Sequence, residues 1–304
     1  VDKLYVKLDS QILNSMSLCP ERYRLEMTEH WRPISKAKAL ERGSAMHTMI
    51  AHYRRCKKAG FAREDHHRVV AASILKGRVA ITGMENISVQ MFEEEDIPVF
   101  YDYILKWQYD GWDIIDVEQP FSKVLYEDET LRTVMDVEYN GLVIIYEGII
   151  DARIRDPKQG VFVVDTKTES RRSWPYVLSN QFQGYEWAFG VPVLIDKVGY
   201  QTSLKPEEKF RRLLHDSGVH GVREWREDCI SYVNQALGWH ELMHKGIRLP
   251  KNRTSCDKYS GCTYQKVCQV PEESRAFKLQ ANFIKDEKWD PYTRDEDSGM
   301  VDED

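Results

Sequence analysis

The chain has 304 residues, 42% hydrophobic and 30% charged, enough for one large domain or two small ones around a sizeable core. No apolar run approaches the ~18 residues of a membrane span, and the opening Val1-Asp2-Lys3-Leu4 lacks the basic and apolar regions of a secretory signal, so a soluble intracellular protein is expected. The net charge of −6 argues at first against a polyanion binder, but residues 285–304 alone carry nine acids against three bases, which leaves a neutral body and an acidic tail of the kind that stays disordered.

Ser10 is a plausible N-cap for a short helix over residues 11–18. Cys19-Pro20 ends it, and a second helical turn follows over 21–25 with Pro near its first position. Taken alone, Cys19 is a buried thiol at a helix end. Residues 36–58 predict a long helix, because Met46, Met49, Ile50 and Tyr53 fall at i, i+3, i+4 and i+7. Within it Gly43 lets another backbone approach, and His47 lies one turn on along the same face. A lone His there is ordinarily structural, and His52 has no motif around it. Residues 62–109 are mostly helical by pattern. Residues 113–125 turn β-like and carry Glu118, by default a half-exposed strand acid.

Two β-rich runs, 142–154 and 160–166, flank Asp156-Pro157-Lys158-Gln159-Gly160, a turn by composition, and so predict a hairpin. Each strand carries one Asp on an apolar background, Asp151 and Asp165. A carboxylate there is costly unless paired. Two brought together repel, so a bound cation is the obvious partner. Lys167 shares the face of Asp165. A metal between two Asp with an adjacent Lys suits phosphodiester cleavage; the alternative is a surface hairpin with a chance D-x-K.

Residues 168–173 form a polar loop in which Arg171 and Arg172 either meet a phosphate backbone or are simply solvated. A helix over 175–189 places Gln181 and Tyr185 four apart on one face. Residues 193–201 form an apolar strand. Residues 205–214 predict a basic helix, with Lys205 and Lys209 on a DNA-facing edge, and 223–245 a long amphipathic one. Cys256, Cys262 and Cys268 then fall within thirteen residues, a segment too short to bury them as core. An intracellular chain does not readily keep them as disulfides, so metal ligation is the better reading, and three ligands want a fourth. Cys56 and Cys229 sit in helical patterns as ordinary core thiols. There is no Walker A or G-x-G-x-x-G motif, so no nucleotide-driven motor is encoded here.

Five of these features, in this order, resemble the PD-(D/E)xK nuclease superfamily, and within it the RecB-like and CRISPR-adaptation-type iron–sulfur exonucleases. They are Cys19-Pro20 after a Ser-led helix, Gly43/His47, Asp151 with Asp165-Thr166-Lys167, Gln181/Tyr185, and the three late Cys. Glu118 is similarly placed to the acid often carried on that family's first core strand. The resemblance spans residues ~10 to ~270. It implies an α/β fold with a restriction-endonuclease-like core, a central mixed sheet flanked by helices. A helical N-terminal part over 1–110 would precede a nuclease core over 111–250. A cluster segment over 251–284 and the tail over 285–304 would follow, with an iron–sulfur clasp joining the N- and C-terminal regions.

The resemblance also implies a metal-dependent DNA nuclease, an exonuclease of recombination, repair, phage replication or CRISPR adaptation. Asp151, Asp165, His47 and the Thr166 carbonyl would hold Mg²⁺ or Mn²⁺, with His favouring Mn²⁺ somewhat. Lys167 would orient or deprotonate the attacking water, or neutralise transition-state charge. Gln181 and Tyr185 would hold Lys167 and the scissile strand. Cys19, Cys256, Cys262 and Cys268 would bind a [4Fe-4S] cluster; their two C-x5-C steps depart from the family's short C-x-x-C step and keep Zn²⁺ as the alternative. The implied partners are DNA, single-stranded or with free ends, and a helicase or a recombination or adaptation protein. The implied location is the cytoplasm, or the host cytoplasm for a phage protein. A catalytically silent DNA-binding module and a zinc-stabilised interaction protein are the competing classes.

Overall fold

The computed structural model describes residues 2–35, 37–61, 65–169, 178–201, 204–257 and 261–286. Arg171, Arg172 and all but the first two residues of the acidic tail lie outside them. In chain order come β1 (Leu4–Leu8), α1 (Ser10–Leu18), α2 (Pro20–Tyr23), β2 (Trp31–Pro33), α3 (Lys38–Lys58), α4 (His66–Ala80), the short α5 (Val89–Met91) and α6 (Ile97–Trp107). β3 (Asp113–Glu127), β4 (Leu131–Val134), β5 (Val137–Asn140), β6 (Leu142–Asp156) and β7 (Gly160–Glu169) follow. The chain continues with α7 (Asn180–Phe189), β8 (Val193–Gly199), α8 (Pro206–Lys209), β9 (Phe210–His215), α9 (Gly218–His244), α10 (Gln265–Gln269), α11 (Glu272–Asn282) and β10 (Phe283–Lys285). Among the described residues no helix is long and apolar enough to cross a membrane.

The chain divides into two compact units, one from Ser35–Gln119 and Ile149–Val222, the other from Val1–Ile34, Pro120–Gly148 and Arg223–Asp304. The first is an α/β unit built on a mixed sheet. β6 and β7 are antiparallel from Ala152↔Val164 to Asp156↔Gly160, β7 and β8 parallel, and β8 and β9 antiparallel. The hairpin turn forms because Asp156 Oδ1 accepts the N–H groups of Lys158 at 2.8 Å and Gln159 at 3.0 Å, while Gly160 takes φ 102°. A core of Met46, Met49 and Ile50 from α3, Val70 from α4, Phe100 and Tyr103 from α6, and Val198 and Phe210 from the sheet packs the helices on the strands. Trp112, Ile114, Ala152, Ile154, Phe162 and Val164 form a second cluster.

In the other unit β1 runs parallel to β6 from Leu4↔Leu142 to Leu8↔Tyr146. Asp9, rather than Ser10, caps α1, because its Oδ1 accepts the Ile12 N–H at 2.7 Å. Cys19 is the extended residue between α1 and α2, with Pro20 opening the second helix. Leu25, Tyr264, Val267, Leu279 and Phe283 form a small core there. On α9, Trp225, Cys229, Val233 and Ala236 are buried at helical spacing.

The basic helix expected over 205–214 is a correction. Only Pro206–Lys209 is helical, and Phe210–His215 is a strand. The reason is charge: Arg211 and Arg212 point to opposite faces of a strand. There Arg211 reaches Glu169 at 2.9 Å and Arg212 reaches Asp110 at 2.8 Å, with its guanidinium also over the rings of Trp107 and Trp112. A helix would set the two only about 100° apart rather than on opposite faces. Cys56 is half-buried rather than core, with its sulfur 3.7 Å from His52 Nδ1.

Candidate functional site

The α/β unit brings Asp151, Asp165, Lys167, Gln181, Tyr185 and His47 together. Strand alternation turns Asp165 and Lys167 of β7 toward α7, and Thr166 and Thr168 toward α3. Lys167 Nζ donates to Gln181 Oε1 at 2.8 Å, and Gln181 Nε2 donates to Asp165 Oδ1 at 3.0 Å and to the Tyr185 hydroxyl at 2.9 Å. Tyr185 in turn donates to the Ile149 carbonyl at 2.8 Å, which ties α7 back to β6. Ser179 caps this helix, and its i, i+4 spacing sets Gln181 and Tyr185 in line. Asp165 Oδ2 is buried and faces the Lys167 ammonium at 2.8 Å, which closes the ring of contacts.

Asp151 Oδ2 accepts the Thr166 N–H at 2.6 Å and lies 3.3 Å from His47 Nδ1. Burial raises the Asp151 carboxyl, but the His47 charge and hydrogen bond, the Thr166 N–H and Lys167 outweigh it and hold it well below the usual carboxylate range. Burial pushes Asp165 up, and the neighbouring Asp151 charge adds to that against the opposing Lys167. Burial would lower His47, but Asp151 and Asp165 raise it. The two carboxylates therefore differ: the positive charge and hydrogen bonds around Asp151 outweigh its desolvation, and those around Asp165 do not.

Close approach of α3 makes this possible. A Cβ on Gly43 would stand 2.9 Å from Thr168 Oγ1, so Gly43 accommodates a β7 side chain rather than the backbone expected. Sequence reasoning missed the group behind Thr166. Arg54 is 4% exposed and donates to Thr166 Oγ1 at 3.1 Å, Tyr103 OH at 3.3 Å and Asp196 Oδ2 at 2.8 Å. Two signals were available: Arg54 follows His47 by seven residues, two turns along one face, and Asp196 is an isolated acid in an apolar strand, as Asp151 and Asp165 are. Glu118 takes φ 48° in β3 and pairs with Arg55. Lys205 is exposed and Lys209 half-buried, beside the exposed acids Glu207 and Glu208.

As these side chains stand, no group of three or more His, Cys, Asp or Glu among the described residues is set to hold a metal ion. Asp151 is engaged by His47 and the Thr166 N–H, and Asp165 by Gln181 and Lys167. The donor chemistry nevertheless fits a divalent cation: a buried carboxylate, a half-buried one, and an imidazole beside them.

The sequence profile of the PD-(D/E)XK nuclease superfamily matches residues 11–269. The chain belongs to the PD-(D/E)XK nuclease superfamily. No curated protein matches it. Among solved structures it is similar to the crystal structure of SSO0001, at 12% identity and TM-score 0.29, covering 75% of this chain and 76% of that one. It is also similar to a "Putative exonuclease" from Eubacterium rectale, at 12% identity and TM-score 0.44, covering 88% and 89%. The membership makes this chain a nuclease by family.

The four remaining Cys of the sequence motif lie in the other unit. Asn252 bridges them: its backbone N–H donates to Cys19 Sγ at 3.3 Å, its side chain donates to the Leu18 carbonyl at 2.8 Å, and its carbonyl accepts from Cys256 Sγ at 3.7 Å. The Cys262 N–H donates to the Cys256 carbonyl at 2.7 Å. Burial raises the Cys256 thiol, and Cys262 and Cys19 add to it; burial also raises Cys268, against Lys251 and with Glu21, Cys262 and Cys19. Cys19 and Cys262 thus act electrostatically on both Cys256 and Cys268, and all four are free thiols.

Proposed function

We propose that this nuclease is a Mg²⁺- or Mn²⁺-dependent deoxyribonuclease that degrades DNA from free ends. The closed chain of hydrogen bonds Asp165–Gln181–Lys167, anchored through Tyr185 to β6 beside Asp151, is the observation that supports it most. His47, Asp151, Asp165 and the Thr166 carbonyl would hold the ion, which when bound supplies charge for the scissile phosphate and lowers the pKa of an attacking water. Lys167 keeps its proton at Nζ, held by Gln181, and presents one fixed positive charge to the pentavalent phosphorus as negative charge builds there. Tyr185 and Gln181 do not react; they keep Lys167 from swinging away from Asp165. The test is digestion of end-labelled linear and covalently closed circular DNA, single-stranded and duplex, with Mg²⁺, Mn²⁺ or chelator. Linear DNA shortens from its ends only with metal and the circles survive. Equal cutting of circles overturns the end-dependence, and cutting in chelator overturns the metal role.

Cys19, Cys256, Cys262 and Cys268 form, in the same proposal, the ligand set of a [4Fe-4S] cluster, with Zn²⁺ as the ion a four-thiolate site would otherwise take. The backbone N–H on Cys19 Sγ suits a thiolate ligand. Cys256 follows Cys19 by 237 positions, so such a cluster closes a loop of nearly the whole protein. By analogy with long-loop cross-links, its loss is worth roughly 2–5 kcal/mol. Cys19→Ala and Cys262→Ala are therefore expected to lose bound metal and unfold at lower denaturant, whereas Cys229→Ala keeps its metal. Metal analysis decides the identity: iron with acid-labile sulfide supports the cluster, and zinc alone replaces it. A Cys19→Ala protein as stable and metal-loaded as its parent removes the clasp.

A further inference from the structure

At the C-terminal end of α3, away from the acids, lies a cavity of about 210 Å³ lined by Tyr53, Lys57, Phe61, His66, Gln108 and Tyr109. Four of these side chains are aromatic. Tyr53 and His66 meet edge to face, with ring centroids 5.9 Å apart at 86°, so the inner wall is fixed. Phe61 and Tyr109 are 53% and 68% exposed at its mouth, an arrangement that leaves large apolar faces in water. Burial and the neighbouring His67 lower His66, so near neutral pH it presents an uncharged ring. A cation lies in the cavity wall: Lys57 pairs with Asp110, which also takes Arg212, itself shared with Asp196.

Size narrows the occupant. Pockets for whole drug-sized ligands run to roughly 300–1,000 Å³, so this one takes a single ring system and not a whole nucleotide. We infer that it is a stacking subsite for one unpaired nucleobase of the DNA substrate, with Phe61 and Tyr109 closing on the base and Lys57 facing its phosphate. The inference rests on the deoxyribonuclease reading above and narrows the substrate to single-stranded DNA or a single-stranded end. A base inside a duplex has both faces covered by its neighbours and cannot enter. Aromatic walls accept any base, because every base has a π-face. Position agrees with this use. Tyr53 and Lys57 follow His47 on the same helix by about 9 and about 15 Å of axial rise, roughly a quarter to a third of a turn round. A strand whose phosphate lies at Asp151 would reach the cavity a few nucleotides away.

The experiment is a titration of short single-stranded oligonucleotides, in chelator so that nothing is cut, with 2-aminopurine moved one position at a time. Wild-type protein is expected to quench it at one position or two adjacent ones. Phe61→Ala and Tyr109→Ala are each expected to bind about tenfold or more weakly and to lose the quenching, with unchanged thermal midpoints. Phe61→Leu keeps the bulk but not the π-face, and is expected to lose affinity similarly. Absence of quenching at every position, or full affinity in Phe61→Leu and Tyr109→Ala, overturns the subsite. Metal-dependent cleavage of the same oligonucleotide by wild-type protein is followed in parallel. Cutting with undiminished affinity in the variants removes the subsite alone, whereas a wild-type protein that neither binds nor cuts removes the deoxyribonuclease reading and the subsite with it.

Discussion

Lys167→Ala is expected to lower kcat for DNA cleavage by at least about 10²-fold, the scale of a lost electrostatic contact in a transition state. Its effect on DNA binding in chelator should be small, since an interaction made mainly in the transition state is lost from kcat and kcat/KM together and leaves ground-state binding alone. The fold should tolerate the change. Lys167 is half-buried, and Asp165 keeps its hydrogen bond from Gln181. Single-turnover cleavage of a labelled oligonucleotide with saturating Mn²⁺ gives the rate of the chemical step directly, and multiple-turnover cleavage gives kcat. Gln181→Ala should fall between parent and Lys167→Ala, because it frees the ammonium without removing it. Wild-type rates in Lys167→Ala would sink the assignment of Lys167, whatever the other variants do.

Arg54→Met should be the most destabilising single change in the α/β unit, by about 3–5 kcal/mol, the cost of breaking a buried ion pair from one side. Asp196 is fully buried, and Arg54 and the Tyr103 hydroxyl bind its Oδ2. Without Arg54 the charge keeps the Tyr103 hydroxyl and Arg212, 3.5 Å from its other oxygen. Thr166 Oγ1 loses its donor as well, directly behind Asp165 and Lys167. Urea unfolding followed by far-UV circular dichroism measures the loss. The double variant Arg54→Met/Asp196→Asn should recover much of it, because the uncompensated charge goes with its partner. A loss below about 1 kcal/mol in Arg54→Met would mean that the pair contributes little and that packing alone supports β7.

How far the site was legible depended on what each residue needs. Asp151, Asp165 and Lys167 stood out because a short turn and an apolar background make local sequence sufficient: the hairpin brings them together by strand register alone. Gln181 and Tyr185 were legible for the same reason, four apart on one helix. The pairing of Arg54 with Asp196 was not, because neither motif nor spacing joins residues 142 apart in the chain. Strand β9 was illegible for a related reason. Its run Phe-Arg-Arg-Leu-Leu-His suits a helix by composition, and only Glu169 on one face and Asp110 on the other make the strand pay for its two arginines.

The sequence by itself determined the hairpin, the helical face of Met46, Met49 and Ile50, and the order of motifs that marks the superfamily, since each of these is written in spacings of a few residues. The tertiary structure decided which side chains meet across long gaps: Arg54 behind Thr166, Tyr185 on the Ile149 carbonyl, and the aromatic cavity between α3, α4 and the end of α6. The physical reason is range. Backbone geometry and side-chain periodicity act over one or two turns and are carried by every few residues. The pairing of a buried charge or the walls of a cavity depend on which distant elements pack together, and that is settled by the whole core at once.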